Sequence, residues 1–124
     1  GPIFAPGRLN PSKRVDLMLC ALAKTPGSVR LEIAGVADNP AYLEVLQSLA
    51  RSLNVENRVT WLGNISDLQL LAHYASARAV LFTPQDEDYG YITLEAMLAG
   101  KPVITVQDAG GPLEFITNNK EGHI

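Results

Sequence analysis

Apolar residues follow two rhythms along this chain. Short, mainly apolar runs at Val29–Ala34, Arg58–Leu62, Ala79–Thr83 and Pro102–Val106 read as buried strands, and a shorter run at Ile3–Ala5 reads as another. Between them the spacing turns helical. Val15, Met18, Leu19 and Leu22 fall at i, i+3, i+4 and i+7, with Ser12 placed to cap that first helix. Asn39 and Pro40 open a second helix whose buried face carries Leu43, Leu46, Ala50 and Leu53. Ser66 with Gln69 forms a capping-box pattern before a third, with Leu68, Leu71 and Ala75 expected on its apolar side. A fourth spans Tyr91–Ala99 and is stopped by Gly100 and Pro102. A short helix holding Leu113, Glu114 and Phe115 follows, and Gly122-His123-Ile124 looks like the opening of one more strand.

Strands separated by single helices pair in parallel, so the expected architecture is α/β: a Rossmann-like, doubly wound parallel sheet with helices on both faces. Such sheets bind ligands at the carboxyl ends of their strands. At 124 residues with 47% hydrophobic content, a single domain is expected. Ten Lys plus Arg against thirteen Asp plus Glu leave a net charge of −3, which argues against a nucleic-acid-coating domain. Cys20 is the only cysteine, so no internal disulfide and no cysteine cluster for a metal is possible. No apolar run approaches a membrane span, and Gly1–Pro6 lacks a signal-peptide pattern. The expected setting is reducing and cytoplasmic.

Three segments at predicted strand ends carry chemistry. Gly7-Arg8-Leu9-Asn10-Pro11-Ser12-Lys13-Arg14 places three cations within seven positions after the first strand. Arg8 offers a planar donor fork and Lys13 a point charge, a pairing suited to a diphosphate, although from this segment alone a solvated basic loop ranks first, since short basic clusters are common on surfaces. Gln85-Asp86-Glu87-Asp88-Tyr89-Gly90-Tyr91 leads into the fourth helix, whose opening amides, from Tyr89 to Ile92, suit an anion. Glu87 and Glu95 flank that spot and would accept hydrogen bonds from sugar hydroxyls. A plain acidic helix start, worth about 0.3–1 kcal/mol, accounts for Asp86 and Asp88 but not for Glu95 within an apolar run. The third segment, Asp108-Ala109-Gly110-Gly111-Pro112, permits a tight turn against a ligand, with Glu114 close behind.

Together these segments resemble the C-terminal, donor-binding domain of family 4 (group 1) retaining glycosyltransferases, enzymes of the two-domain GT-B fold. Gly7-Arg8-Leu9 with Lys13 is similar to the family's GRL…KG segment, and Glu87-Asp88-Tyr89-Gly90 through Glu95 to its E-x-F-G-x-x-x-x-E motif. Gly100-Lys101-Pro102-Val103-Ile104 with Gly110-Gly111 is similar to G-x-P-V-I…GG, and Arg58–Gly63 to the strand and glycine turn before the nucleotide base. Tyr89 stands where the family often has Phe, and Arg14 where it often has Gly. The resemblance implies a domain covering residues 1–124, truncated at its C-terminal end, that binds a nucleoside diphosphate sugar without a metal or other cofactor. Arg8 and Lys13 would hold the diphosphate, Glu87 the hydroxyls of the transferred sugar and Glu95 the ribose. Gly7 and the amides of Tyr89, Gly90, Tyr91 and Ile92 would add to the donor site, and the base would lie against Gly63, Asn64 and Ile65. The partner would be the N-terminal acceptor-binding domain of the same full-length protein, which could itself be peripheral at the inner face of a membrane.

Arg8 and Lys13 are both expected to be exposed loop cations that contribute little to folding, and Glu95 is expected to face the same cleft. A sugar-nucleotide epimerase of the same fold and a non-catalytic nucleotide-binding module are the alternatives. A receiver domain would need acids where Gly7-Arg8 and Leu62-Gly63 stand, and a glycosidase reading of Glu87 with Glu95 leaves Arg8 and Lys13 without purpose. His73 and His123 carry no motif and are expected to be bystanders.

Overall fold

A computed structural model describes residues 1–9, 11–82, 100, 102–105 and 114–116. Its strands are β1 (Ile3–Ala5), β2 (Leu31–Ala34), β3 (Val59–Gly63), β4 (Ala79–Phe82), β5 (Val103–Thr105) and β6 (Glu114–Ile116). Its helices are α1 (Val15–Ala23), α2 (Pro40–Ser52) and α3 (Asp67–Ser76). The strands form one sheet in the order β3-β2-β1-β4-β5-β6. All neighbours pair in parallel except β6, which runs antiparallel to β5. The chain therefore steps outward from β1 to β3 on one side, then returns to β4 on the other. The order reverses between β1 and β4, the point where doubly wound sheets leave a crevice at their carboxyl ends.

Strand alternation assigns each side chain to a face. Ile3 and Ala5, Leu31 and Ile33, Val59, and Ala79 and Leu81 pack with the apolar residues of α1 and α2 in one core. Phe4, Ala34 and Val80 pack on the other face with Tyr74 of α3 and with Ala77. Among the described residues, packing is present on both faces of the sheet at β1, β2 and β4, as a parallel sheet requires. Among the described residues, no helix is long and apolar enough to cross a membrane.

The caps of α2 and α3 are as expected. The Asn39 side chain accepts from the Ala41 amide at 2.9 Å with Pro40 in the first turn, and Ser66 and Gln69 satisfy each other's backbone amides at 3.1 and 2.8 Å. Three expectations change. Ser12 does not cap α1: Pro11–Lys13 close a 3₁₀ turn, Arg14 donates its amide to the Pro11 carbonyl at 3.2 Å, and the helix restarts behind Arg14. Arg14 holds φ 57, ψ 44, the left-handed conformation natural to the glycine that the resembled motif carries there. In α3, Leu68 and Leu71 are 72% and 67% exposed, and Ala75 is exposed too. The face against the sheet is instead Leu70 and Tyr74, because Tyr74 seats edge-on against Phe4, with ring centroids 5.4 Å apart. Finally, Glu114 lies in a strand rather than a helix, since Glu114–Ile116 is taken up by backbone pairing with β5 in the register Thr105↔Glu114. The expected fourth helix and the Gly122-His123-Ile124 strand lie outside the described residues.

His73 also gains a role. It stacks on Phe4 at 5.3 Å, and its Nδ1 lies 3.0 Å from a Glu32 carboxylate oxygen, which satisfies the one acid on that face of β2. The pair joins α3 to the sheet. At the opposite, amino edge, Arg58 donates to the carbonyls of Val29 and Pro26 and to the Thr25 hydroxyl, so this cation serves the fold.

Candidate functional site

Three loops leave the carboxyl ends of β1, β2 and β3 and are fastened to one another through backbone. After β1, Gly7 takes φ +134. After β2, Gly35 takes φ +121 and donates its amide to the Gly63 carbonyl at 2.8 Å. A β-carbon on Gly35 would sit 1.5 Å from the Gly7 carbonyl oxygen, so only glycine allows the β2 loop to lie against the β1 loop. A register shift between Ile33 and Ala34 bends this end of β3 and brings Gly63 opposite Ala34. Beyond the strands, Leu9 and Ala37 form an isolated parallel bridge, Leu9 donates to the Val36 carbonyl at 3.2 Å, and Asp38 donates to the Leu9 carbonyl at 3.3 Å. Leu9 itself is buried at 3% exposure.

The two expected phosphate cations stand on this platform in different ways. Arg8 is exposed, and its Nε and Nη2 donate to Oδ1 of Asp38 at 3.3 and 2.8 Å. Lys13 is not the solvated loop cation expected from sequence. It is 3% exposed, the one buried charged residue among the described residues, and its ammonium donates to the Pro6 carbonyl. A β-carbon on Gly7 would lie 2.6 Å from the Lys13 Nζ, so the glycine makes room for the buried ammonium beneath the loop that carries Arg8. The reversal of strand order places this loop at the switch point, beside the end of β4 from which the 83–99 segment departs.

Arg14, the third cation, pairs with Asp16 at 3.4 Å. Both lie near Tyr42 of α2, whose hydroxyl pKa is pushed up by burial and by the Asp16 charge, with Arg14 opposing. On the far side of the platform, a β-carbon on Gly63 would meet nothing within 4 Å. Asn64 is exposed, and Ile65 packs partly buried against the Phe4 and Tyr74 core.

The structure thus brings Gly7, Arg8 and Lys13 into one loop and joins them through Gly35 to Gly63, with Asn64 and Ile65 following. Glu87, Tyr89, Gly90, Tyr91, Ile92 and Glu95 lie outside the described residues, as does Asp108–Pro112. Glu114 falls by register opposite the last residue of β5, at the carboxyl edge. Sequence reasoning missed Gly35 and Asp38. Their signal was a glycine directly after a strand and an acid directly before a helix cap, in a loop that must open onto the same edge.

A reversing parallel sheet with glycine-floored loops and cations at its switch point defines a Rossmann-like ligand-binding domain, the class found in each half of GT-B enzymes. The family follows from comparison with known proteins. The chain belongs to the group 1 glycosyl transferases, whose family model matches residues 3–124. It is 37% identical over 90 residues to an alpha-1,3/1,6-mannosyltransferase of Dictyostelium discoideum, covering 73% of this chain and 21% of that protein. It is 37% identical over 109 residues to the D-inositol 3-phosphate glycosyltransferase of Mycolicibacterium smegmatis, covering 86% of this chain and 25% of that protein. Among solved structures, Anabaena HepE in complex with UDP-glucose superposes with a TM-score of 0.70 at 30% identity, covering 85% of this chain and 30% of that one. The chain therefore spans about a quarter of the length of the curated relatives it matches.

Proposed function

We propose that this chain is the donor-binding domain of a retaining glycosyltransferase that moves a sugar from a nucleoside diphosphate sugar to an acceptor hydroxyl without a metal. The observation that carries the reading is the pair of cations, Arg8 above and Lys13 beneath the β1 loop, at the point where the strand order reverses. Family membership and a structural neighbour holding UDP-glucose support it. Cleavage of the anomeric C–O bond leaves a diphosphate with added negative charge. Prepositioned cations stabilise that charge more in the transition state than in the ground state. Gly7 admits the diphosphate, Glu87 holds hydroxyls of the transferred sugar and Glu95 those of the ribose, while the amides of Tyr89, Gly90, Tyr91 and Ile92 add donors. The base lies over Gly63, Asn64 and Ile65, where Gly63 leaves open space. The acceptor is bound by an N-terminal domain of the same full-length protein, and the setting is cytoplasmic or at the inner face of a membrane.

The test is transfer by the full-length protein from a panel of UDP-, GDP- and ADP-sugars, with and without EDTA, reading the anomeric configuration of the product by NMR. Retained configuration and EDTA-insensitive transfer are expected. Isomerised donor without acceptor, an inverted product or abolition of transfer by EDTA would overturn the proposal. Replacing Arg8 by Ala should lower turnover more than donor affinity, by roughly 2–4 kcal/mol of transition-state stabilisation.

A further inference from the structure

We propose that Asp38, on the loop between β2 and α2, is a positioning residue that sets the Arg8 guanidinium before the donor arrives. This rests on the reading that Arg8 meets the donor diphosphate.

Arg8 has a long side chain at an exposed site, 76% accessible, and left to itself it would sample many rotamers. Arginine carries about 2 kcal/mol of rotamer entropy, so an unheld Arg8 would have to be ordered by the substrate in every cycle. Asp38 does that ordering in advance. Its backbone is fixed on both sides: its amide is bonded to the Leu9 carbonyl at 3.3 Å, and Asn39, the next residue, caps α2 through the Ala41 amide at 2.9 Å. Arg8 is fixed in turn between Gly7, locked against Gly35, and the buried, bridged Leu9. Two rigid backbones, 30 residues apart in sequence, therefore present the partners to each other. One carboxylate oxygen, Oδ1, accepts from both Nε and Nη2, which fixes the direction of the guanidinium plane.

The net energy of such an exposed ion pair is small, about 0–1 kcal/mol, so stability does not explain its construction. Simple electrostatics does not either. A carboxylate next to a diphosphate site repels the ligand, and its removal taken alone should strengthen anion binding. The gain lies in the geometry it imposes on Arg8. Because both bonds go to a single oxygen, an amide oxygen at the same position can accept both, more weakly but in the same geometry and without the charge.

The test uses the full-length protein with the donor that supports transfer, and UDP and GDP as binding probes in calorimetry. Asp38→Ala is expected to lower turnover about threefold to tenfold, a part of the roughly thirtyfold that the full rotamer freedom of an arginine would set. Nucleotide affinity should hold or rise, and melting temperature should be unchanged. Asp38→Asn is expected to keep turnover within about twofold of wild type, because it preserves the oxygen that accepts both bonds. In an Arg8→Ala background, Asp38→Ala should cause no further loss of turnover, as required if Asp38 serves turnover only through Arg8, while nucleotide affinity should still hold or rise. Wild-type turnover in Asp38→Ala, or an equal loss with Arg8 already removed, overturns the proposal. If Arg8→Ala alone changes neither turnover nor nucleotide affinity, the diphosphate role of Arg8 fails first, an outcome distinct from the other two.

Discussion

Arg8 and Lys13 read as twins in the sequence, yet the structure separates them, and replacing each by alanine should reveal how. Lys13→Ala removes a side chain that is 3% exposed and whose ammonium satisfies the Pro6 carbonyl. Deleting its stem forfeits about 0.8 kcal/mol for each buried methylene. Stranding a buried carbonyl costs about 1–3 kcal/mol more. Relief from holding a charge out of water offsets part of this, leaving a net loss of about 2–4 kcal/mol. Arg8 is 76% accessible, so Arg8→Ala should cost under about 1 kcal/mol. At about 3 °C per kcal/mol for a domain of this size, Lys13→Ala should melt at least about 6 °C below wild type. Arg8→Ala should stay within about 3 °C of it. Lys13→Met, which keeps the stem but not the ammonium, should fall between. Thermal denaturation of the three variants decides the matter. Equal melting temperatures for the two alanine variants would show that Lys13 is not buried as described, and the division of labour between the cations would fall with it.

The platform glycines should differ as sharply. Gly35→Ala places a methyl group 1.5 Å from the Gly7 carbonyl oxygen and should cost at least about 3 kcal/mol in a melting or urea experiment. Gly63→Ala meets open space, so only its left-handed φ of +69 is penalised, by about 1–2 kcal/mol; if the proposed base site is right, nucleotide affinity should fall as well, because the methyl group occupies that space. Arg14→Gly should raise stability by about 1 kcal/mol by relieving a left-handed arginine, measured as a higher melting temperature; no change would mean that its Asp16 pairing already offsets the strain. On α3, Leu71→Glu should be close to neutral, whereas Leu70→Ala should cost about 2 kcal/mol, and the reverse order by chemical denaturation would contradict the assigned face.

What was legible in the sequence was mainly local. Asn39-Pro40 and Ser66 with Gln69 announce their helices because a cap is complete within four residues, and apolar runs mark β1 to β5 because parallel strands are buried on both faces. Reading failed where two local answers competed. In α3, the line Leu68, Leu71, Ala75 is as apolar as the line Leu70, Tyr74, Ala77, and only the fit of Tyr74 against Phe4 chooses between them. Around Glu114, three residues carry too little period to tell a helix from an edge strand. The site divides in the same way. Gly7, Arg8 and Lys13 share a motif that a short segment displays, whereas Asp38 meets Arg8 across 30 residues, and the burial of Lys13 depends on a glycine six positions away. Such facts belong to packing, which no local pattern encodes.

The backbone links among the Gly7, Gly35 and Gly63 loops carry a kinetic consequence. Binding loops usually sit at the low-stability end of a protein and open on their own. Here the Gly35 amide is tied to the Gly63 carbonyl, and the Gly35 backbone is pressed on Gly7, so no one of the three can lift without the others. Solvent exchange at the Gly35 amide should therefore be as slow as in the strands beneath it. A rim this firm would present a fixed template to a ligand at the strand ends.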